Sequence, residues 1–321
     1  MSLVSMVIVT MLSFVNTDQW QEAFFIITLI VVALMNAGIA VLQASLYGMI
    51  GLFPPVCISA LVSGQSLAGI ISALSQIISL AIGQEDPVTS GIIYFCLADI
   101  YLIISIIAYV SVIKMEFYKE SMNETQLTLR PEVTSTKLTW KEYIKVLRKV
   151  FWFGLTLGFI FMVTLAIFPS VEVYVTSVHS PSTWADVYFQ PTITFLLFGV
   201  ADMVGRELSR WITWPGHKGY AFHMLSFSRI IFIPLILLCH GNNKTFPTVF
   251  NQDFYYIIIN ILFGLTDGYF GALAMIFYPR VVEKHETELA GTLMASLMGV
   301  GMVLGSCASP GFVALWGPKS T

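Results

Sequence analysis

The chain has 321 residues, of which 56% are hydrophobic and only 11% charged, with a formal net charge of −3 and a mean hydropathy of +0.80. Soluble domains carry about a quarter charged residues, so this composition excludes an ordinary soluble globular fold. Apolar runs close to the ~20 residues that cross a bilayer recur along the chain, which therefore reads as an all-α polytopic membrane protein.

Nine candidate spans follow one another at residues 2–16, 22–48, 52–83, 89–113, 150–171, 187–212, 220–240, 253–278 and 287–316. The first is short for a bilayer, yet it has no charged leading region and no small-residue cleavage site. It reads as a transmembrane helix rather than a signal peptide. The one long charged interruption follows the fourth span. It divides the chain into an N-terminal bundle of four helices (1–115), a linker loop (116–148) and a C-terminal bundle of five (149–321). Two bundles joined by a cytoplasmic linker is the plan of many secondary transporters, whose substrate sits between the halves near the midplane. A helical membrane protein without transport activity, such as a receptor or assembly subunit, fits the same composition.

Charge placement orients the spans. Eight of the 16 Lys and Arg residues lie between Lys114 and Lys149. By parity, Arg210, Lys218, Arg280 and Lys284 share that side, while Lys244 and Lys319 lie opposite. The positive-inside rule makes the 114–149 stretch cytoplasmic, which puts the N-terminus inside and the C-terminus outside. The sequon Asn243-Lys244-Thr245 then falls on the outer side and Asn243 becomes a candidate glycosylation site. A second sequon, at Asn123, falls inside.

Inside the spans, the sixth carries Asp202 and Arg206 four residues apart, on one helical face and within pairing distance. A lone charge at the bilayer centre costs on the order of 3 kcal/mol, so the two are expected to pair, to serve a site, or both. Cys57, Cys96, Cys239 and Cys307 lie in or beside apolar segments without CxxC spacing and read as core residues. There is no HExxH, Walker A or GxSxG pattern. No enzyme activity, cofactor, metal or nucleic-acid partner is expected, and no nucleotide-driven energy source.

A set of short stretches then falls in one order along the chain. They are Ala40-Val41-Leu42-Gln43-Ala44-Ser45-Leu46-Tyr47-Gly48, Ser63-Gly64-Gln65-Ser66-Leu67-Ala68-Gly69, Glu116-Phe117-Tyr118, Ile167-Phe168-Pro169-Ser170-Val171, Asp202-Met203-Val204-Gly205-Arg206, Trp214-Pro215-Gly216, Arg229-Ile230-Ile231-Phe232-Ile233-Pro234, Gly268-Tyr269 and Glu288-Leu289-Ala290-Gly291. Together they resemble the equilibrative nucleoside transporter family over nearly the whole chain. The resemblance implies a major-facilitator-like fold of two bundles and eleven helices, cytoplasmic at its N-terminus and extracellular at its C-terminus. About nine of the expected eleven are present here with the same sidedness. The first two would then be missing, and the first span would be the remnant of the third.

The resemblance also implies a site. A nucleoside pairs an aromatic base with a hydroxyl-bearing sugar and needs apolar walls with a few placed polar groups. Gln43 matches the family's base-contacting glutamine, and its amide both donates and accepts. Arg206 matches the ribose contact and Asp202 its orienting partner, although a structural bridge is equally compatible with the pair. Phe168 precedes Pro169, whose missing N–H is expected to kink the helix and turn the ring to a cavity. Phe195 and Met302 match apolar pocket positions. Two residues depart from the family pattern: Gly199 and Asp267 stand where relatives carry Asn. Asp267 is thus a candidate proton-sensitive position, or a carboxylate paired with a nearby cation or backbone group. Gly301 and Gly305 form a GxxxG spacing that suits close helix packing. The expected activity is facilitated transport of purine and pyrimidine nucleosides by alternating access in the plasma membrane. The alternatives are proton-coupled transport through Asp267, and a non-transporting fragment or partner of a full-length relative.

Overall fold

The computed structural model describes residues 2–14, 20–50, 53–83, 86–121, 140–216, 220–241 and 244–317. Among these the regular structure is helical apart from one isolated bridge between Cys239 and Phe250. The main helices are α1 (Ser2–Ser13), α2 (Gln21–Ile50), α3 (Pro55–Gly83), α4 (Pro87–Lys114), α5 (Trp140–Ile167), α6 (Trp184–Trp211), α7 (Ala221–Leu237), α8 (Asp253–Phe277) and α9 (Thr287–Trp316). Seven of them are long and apolar enough to cross a membrane; α1, with 12 residues, and α7 are the shorter two. Each expected span coincides with a helix. Asn243 lies outside the described residues.

Local chemistry sets the helix ends. Asp86 caps α4: its carboxylate accepts from the Val88 and Thr89 amides at 3.2 Å, and Pro87 occupies the first turn, where no amide partner is needed. The Thr89 hydroxyl and these amides hold the Asp86 carboxyl below its ordinary range. At the other end of the chain, α9 stops at Gly317, whose φ of 67° is left-handed. The Trp316 carbonyl there accepts from the Thr245 and Phe246 amides, each at 3.3 Å.

Two boundaries differ from expectation. α5 begins at Trp140 rather than at residue 150. Lys141, Lys145 and Lys149 recur every four residues, which puts them on one face of the added turns. Lys145 pairs with Glu286 at 3.3 Å, and Lys149 with Glu286 at 2.5 Å and Glu283 at 3.3 Å, so the charges extend the helix instead of ending it. At its far end α5 stops at Ile167 instead of kinking through Pro169. Pro169 has no amide for the i−4 carbonyl, and Phe168, as the residue before a proline, is biased out of helical backbone. The chain turns there into a short 3₁₀ segment, Glu172–Tyr174.

The chain forms two compact units. The first comprises Met1–Leu46 and Leu74–Lys137. In it the Thr10 hydroxyl of α1 donates to Asp99 of α4 at 2.7 Å, and the Ser90 hydroxyl of α4 to the Ser79 carbonyl of α3 at 3.1 Å. Its long helices leave Phe25, Leu29, Ile30, Ile104 and Ile107 exposed, as expected of surfaces solvated by lipid tails.

The second unit comprises Tyr47–Ala73 and Leu138–Thr321. Its helices meet backbone to backbone at glycines. On α8, a Cβ at Gly268 would stand 1.9 Å from the Asp202 carbonyl; on α6, one at Gly205 would stand 2.2 Å from that of Leu265. On the α5–α9 seam, a Cβ at Gly301 would stand 2.0 Å from the Gly158 carbonyl, and one at Gly305 2.4 Å from that of Met162. The GxxxG spacing therefore packs α9 on α5. Where these seams end, Val163, Ile167, Phe232, Phe263 and Trp316 join one buried apolar cluster.

Candidate functional site

Asp202 and Arg206 project from α6 into the second unit, with 6% and 8% of their surfaces exposed. The Arg206 Nε donates to both carboxylate oxygens of Asp202, at 3.1 and 3.0 Å, as the four-residue spacing requires. The N-terminal half of α3 completes their surroundings. The Ser66 hydroxyl donates to Asp202 at 2.6 Å, Arg206 Nη1 donates to the Val62 carbonyl at 3.1 Å, and the Ser63 hydroxyl donates to Glu207 at 2.5 Å. Val62, Ser63 and Ser66 share one α3 face. From Val62 through Ser66 to Ile70 the partners on α6 step back from Arg206 to Asp202 and Gly199, so the two helices run antiparallel. Gly199, one turn before Asp202, continues this contact: a Cβ there would meet Ile70 of α3 at 3.3 Å.

A second buried pair lies one helix contact away. Asp267 of α8 adjoins Gly268, the residue packed on the Asp202 backbone. Arg229 of α7 approaches Asp267 at 2.8 Å, and the Thr164 hydroxyl of α5 donates to Asp267 at 2.6 Å. Arg229 also donates to the Ile160 and Phe263 carbonyls and to the Thr164 and Thr266 hydroxyls, all at 3.2 Å, and its guanidinium lies over the Phe263 ring. The carboxylate at Asp267 thus has a cation partner.

The two arginines differ in what they leave available. A guanidinium has five N–H donors. Four hydrogen bonds and the Asp267 contact occupy those of Arg229, which is 1% exposed. Arg206 uses Nε and one N–H of Nη1, so among the described residues about three donors stay uncommitted. A saturated bridge stiffens the fold, whereas spare charged donors beside an oriented carboxylate can bind a hydroxylated solute.

The aromatic candidates gather near the start of the same helix. The backbone of α6 is wound in wider i→i+5 turns over Gln190–Leu197, which carries Phe195. The Phe168 ring stacks on Phe198 at 4.4 Å and meets Phe195 edge-on at 5.6 Å. Phe168 also borders an open cleft of about 440 Å³ whose wall includes Leu165, Ser170, Ser306 and Ser309, and which Gln43, Phe195, Asp202, Arg206 and Met302 do not line. Met302 lies on α9, partly buried, one turn before Ser306. Gln43 is a partly buried residue of α2 in the first unit.

Three partners were not assigned from sequence. Ser66, Val62 and Arg229 complete the polar shells of Asp202, Arg206 and Asp267. The four-residue interval between Val62 and Ser66 gives them a common face, but nothing in a single sequence says which helix that face meets.

Comparison with known proteins matches the sequence to one family. The sequence model described as nucleoside transporter matches residues 29–314. Equilibrative nucleoside transporter 2 of Rattus norvegicus is 34% identical over 343 residues, covering 94% of this chain and 75% of its own length. Equilibrative nucleoside transporter 1 of Homo sapiens is 32% identical over 337 residues, covering 96% and 74%. Equilibrative nucleotide transporter 1 of Arabidopsis thaliana is 30% identical over 295 residues, covering 88% and 63%. The chain, a multi-pass membrane protein of helices α1 to α9, belongs to the equilibrative nucleoside transporter family.

Proposed function

We propose that this chain carries nucleosides across a membrane by facilitated diffusion with alternating access, and that Arg206 and Asp202 take the sugar. The observation that carries this reading is the contrast between the arginines. Both are buried and paired, but among the described residues only Arg206 keeps spare N–H donors. Ribose hydroxyls accept from a guanidinium and donate to a carboxylate, so one oriented pair engages two adjacent hydroxyls. Phe168 and Phe195 supply an apolar wall, Met302 extends it along α9, and Gln43 offers its amide to the base edge. The N-terminal and C-terminal bundles, joined by the linker that precedes α5 at Trp140, are the bodies that exchange access. The charge map supports a cytoplasmic N-terminus and a C-terminus on the opposite side, and the family resemblance points to the plasma membrane.

Proton-coupled transport through Asp267 is the second reading. The Arg229 contact at 2.8 Å disfavours it, because a paired carboxylate already has its counter-charge.

Uptake of labelled uridine and adenosine by cells expressing this chain tests the proposal. Arg206→Ala is expected to lower initial rates at least ~10-fold, the equivalent of one lost hydrogen bond to a charged group, at matched surface abundance. Rates no higher than in mock cells, or unchanged in Arg206→Ala, overturn it.

A further inference from the structure

Among the described residues, four acidic side chains are buried in the second unit: Glu172, Asp202, Asp267 and Glu286. Three have a basic partner within 4 Å, namely Arg206, Arg229 and Lys149. Glu172 does not. It is 0% exposed and opens the short 3₁₀ segment that follows α5. The Tyr256 hydroxyl of α8 donates to its Oε2 at 3.2 Å, while Oε1 has no hydrogen-bond partner among the described residues. Tyr256 in turn shares a hydrogen bond of 2.9 Å with the Thr194 hydroxyl of α6. Asn260, one turn along α8, donates to the Ile193 carbonyl at 2.7 Å and leaves its own buried Oδ1 unpartnered.

The remaining described neighbours supply no counter-charge. Val171, Val175, Phe189, Ile236 and Leu237 make the surrounding cluster apolar. Cys239, at the end of α7, is buried. His240 faces the Thr176 carbonyl at 3.0 Å. Lys244 is engaged elsewhere: its ammonium donates to the Cys239 carbonyl at 2.7 Å and lies 4.2 Å from the Trp316 ring centre. Asp253 opens α8 and is held by Ser177, the Val178 amide and His179. A carboxylate in such a place would be desolvated with a single hydrogen bond and no cation, an arrangement that folded proteins avoid by neutralising the group.

We propose that Glu172 is a proton-binding site: packed as described its carboxyl holds a proton, while the Tyr256 hydroxyl, itself bonded to Thr194, donates to the other carboxyl oxygen. Any rearrangement that opens the α5–α6 connection to water releases that proton as Glu172 ionises. The occupant is a proton rather than a sodium ion because the cluster offers few oxygens and apolar walls, whereas hard cations take six or more oxygen ligands. Where transport occurs, this gives the reading above a dependence on pH and assigns it to Glu172, not Asp267.

Thermal unfolding of the purified chain in detergent between pH 5 and 9 tests the site without requiring transport. The wild-type melting temperature is expected to fall by on the order of 3 °C or more as pH rises, because the packed state must then bury an ion. Glu172→Gln should hold the acid-limb value throughout. Tyr256→Phe removes the one recorded donor to the carboxylate and should steepen the fall, which keeps the test open if Glu172→Gln folds poorly. In the parallel uridine uptake assay, Glu172→Gln should be flat with pH at the wild-type acid-limb rate. Identical pH curves for wild type and Glu172→Gln overturn the proposal. So does a melting temperature that responds to replacement of sodium by choline in wild type but not in Glu172→Gln. Absence of uptake alongside the expected unfolding curves rejects the transport reading and leaves the proton site standing.

Discussion

Neutralising one member of the Asp267–Arg229 pair separates a structural bridge from a working site. Asp267→Asn leaves Arg229, 1% exposed, with its four hydrogen bonds but without a counter-charge. Removing one partner of a buried pair costs about 3–5 kcal/mol. Domains of about 150–250 residues lose roughly 2–4 °C of melting temperature per kcal/mol, so the single variant should melt roughly 10 °C lower. Arg229→Gln should lose a similar amount, because Asp267 then keeps only the Thr164 hydroxyl. The double variant Asp267→Asn/Arg229→Gln removes both charges and should recover at least half of the summed loss. The assay is intrinsic-fluorescence unfolding of detergent-purified protein at one pH and one detergent concentration. Additive losses in the double variant would refute the pairing and, with it, the argument that Arg229 is committed to the fold.

Three further outcomes follow from the same geometry. Ser66→Ala removes the 2.6 Å hydrogen bond to Asp202 and should raise the apparent KM for uridine ~10-fold, the effect of losing one charged hydrogen bond, with a fall of a few degrees in melting temperature; an unchanged KM would show that Ser66 does not position Asp202. Gly268→Val drives a side chain into the Asp202 carbonyl and should abolish correctly folded protein by size-exclusion profile, whereas Gly271→Ala, with nothing within 4 Å of the new Cβ, should be neutral or stabilising by about 0.5–1 kcal/mol. If the sequon faces outward, glycosidase treatment and Asn243→Gln should each collapse the same gel shift; no shift in the wild type would count against the proposed orientation.

The composition and apolar runs made the nine helices legible, because each span must satisfy its own backbone in lipid. The i, i+4 spacing likewise gave the Asp202–Arg206 pair, and the two hydrogen bonds from Nε bear it out. Other features were hidden for physical reasons. The start of α5 was misplaced because Lys141, Lys145 and Lys149 look like loop charges until Glu283 and Glu286 are seen across the unit. The end of α5 was read as a kink because a proline signals a break without saying how far the chain turns. Ser66, Val62 and Arg229 act through contacts between helices distant in sequence, which periodicity does not encode. Glu172 drew no attention because a single Glu near a span end reads as an interfacial charge; its burial comes from α6 and α8 packing over it.

The central claim is that Arg206 and Asp202 bind the sugar of a nucleoside. The most direct measurement is binding of labelled uridine to the purified chain, with competition by uridine and by 2′,3′-dideoxyuridine, in wild type and Arg206→Ala. The account predicts that wild type prefers uridine over the dideoxy competitor by at least ~10-fold, as a site built to pair hydroxyls discriminates against their loss, and that Arg206→Ala binds both weakly and equally. Equal competition in wild type, or a preference that survives Arg206→Ala, would contradict it.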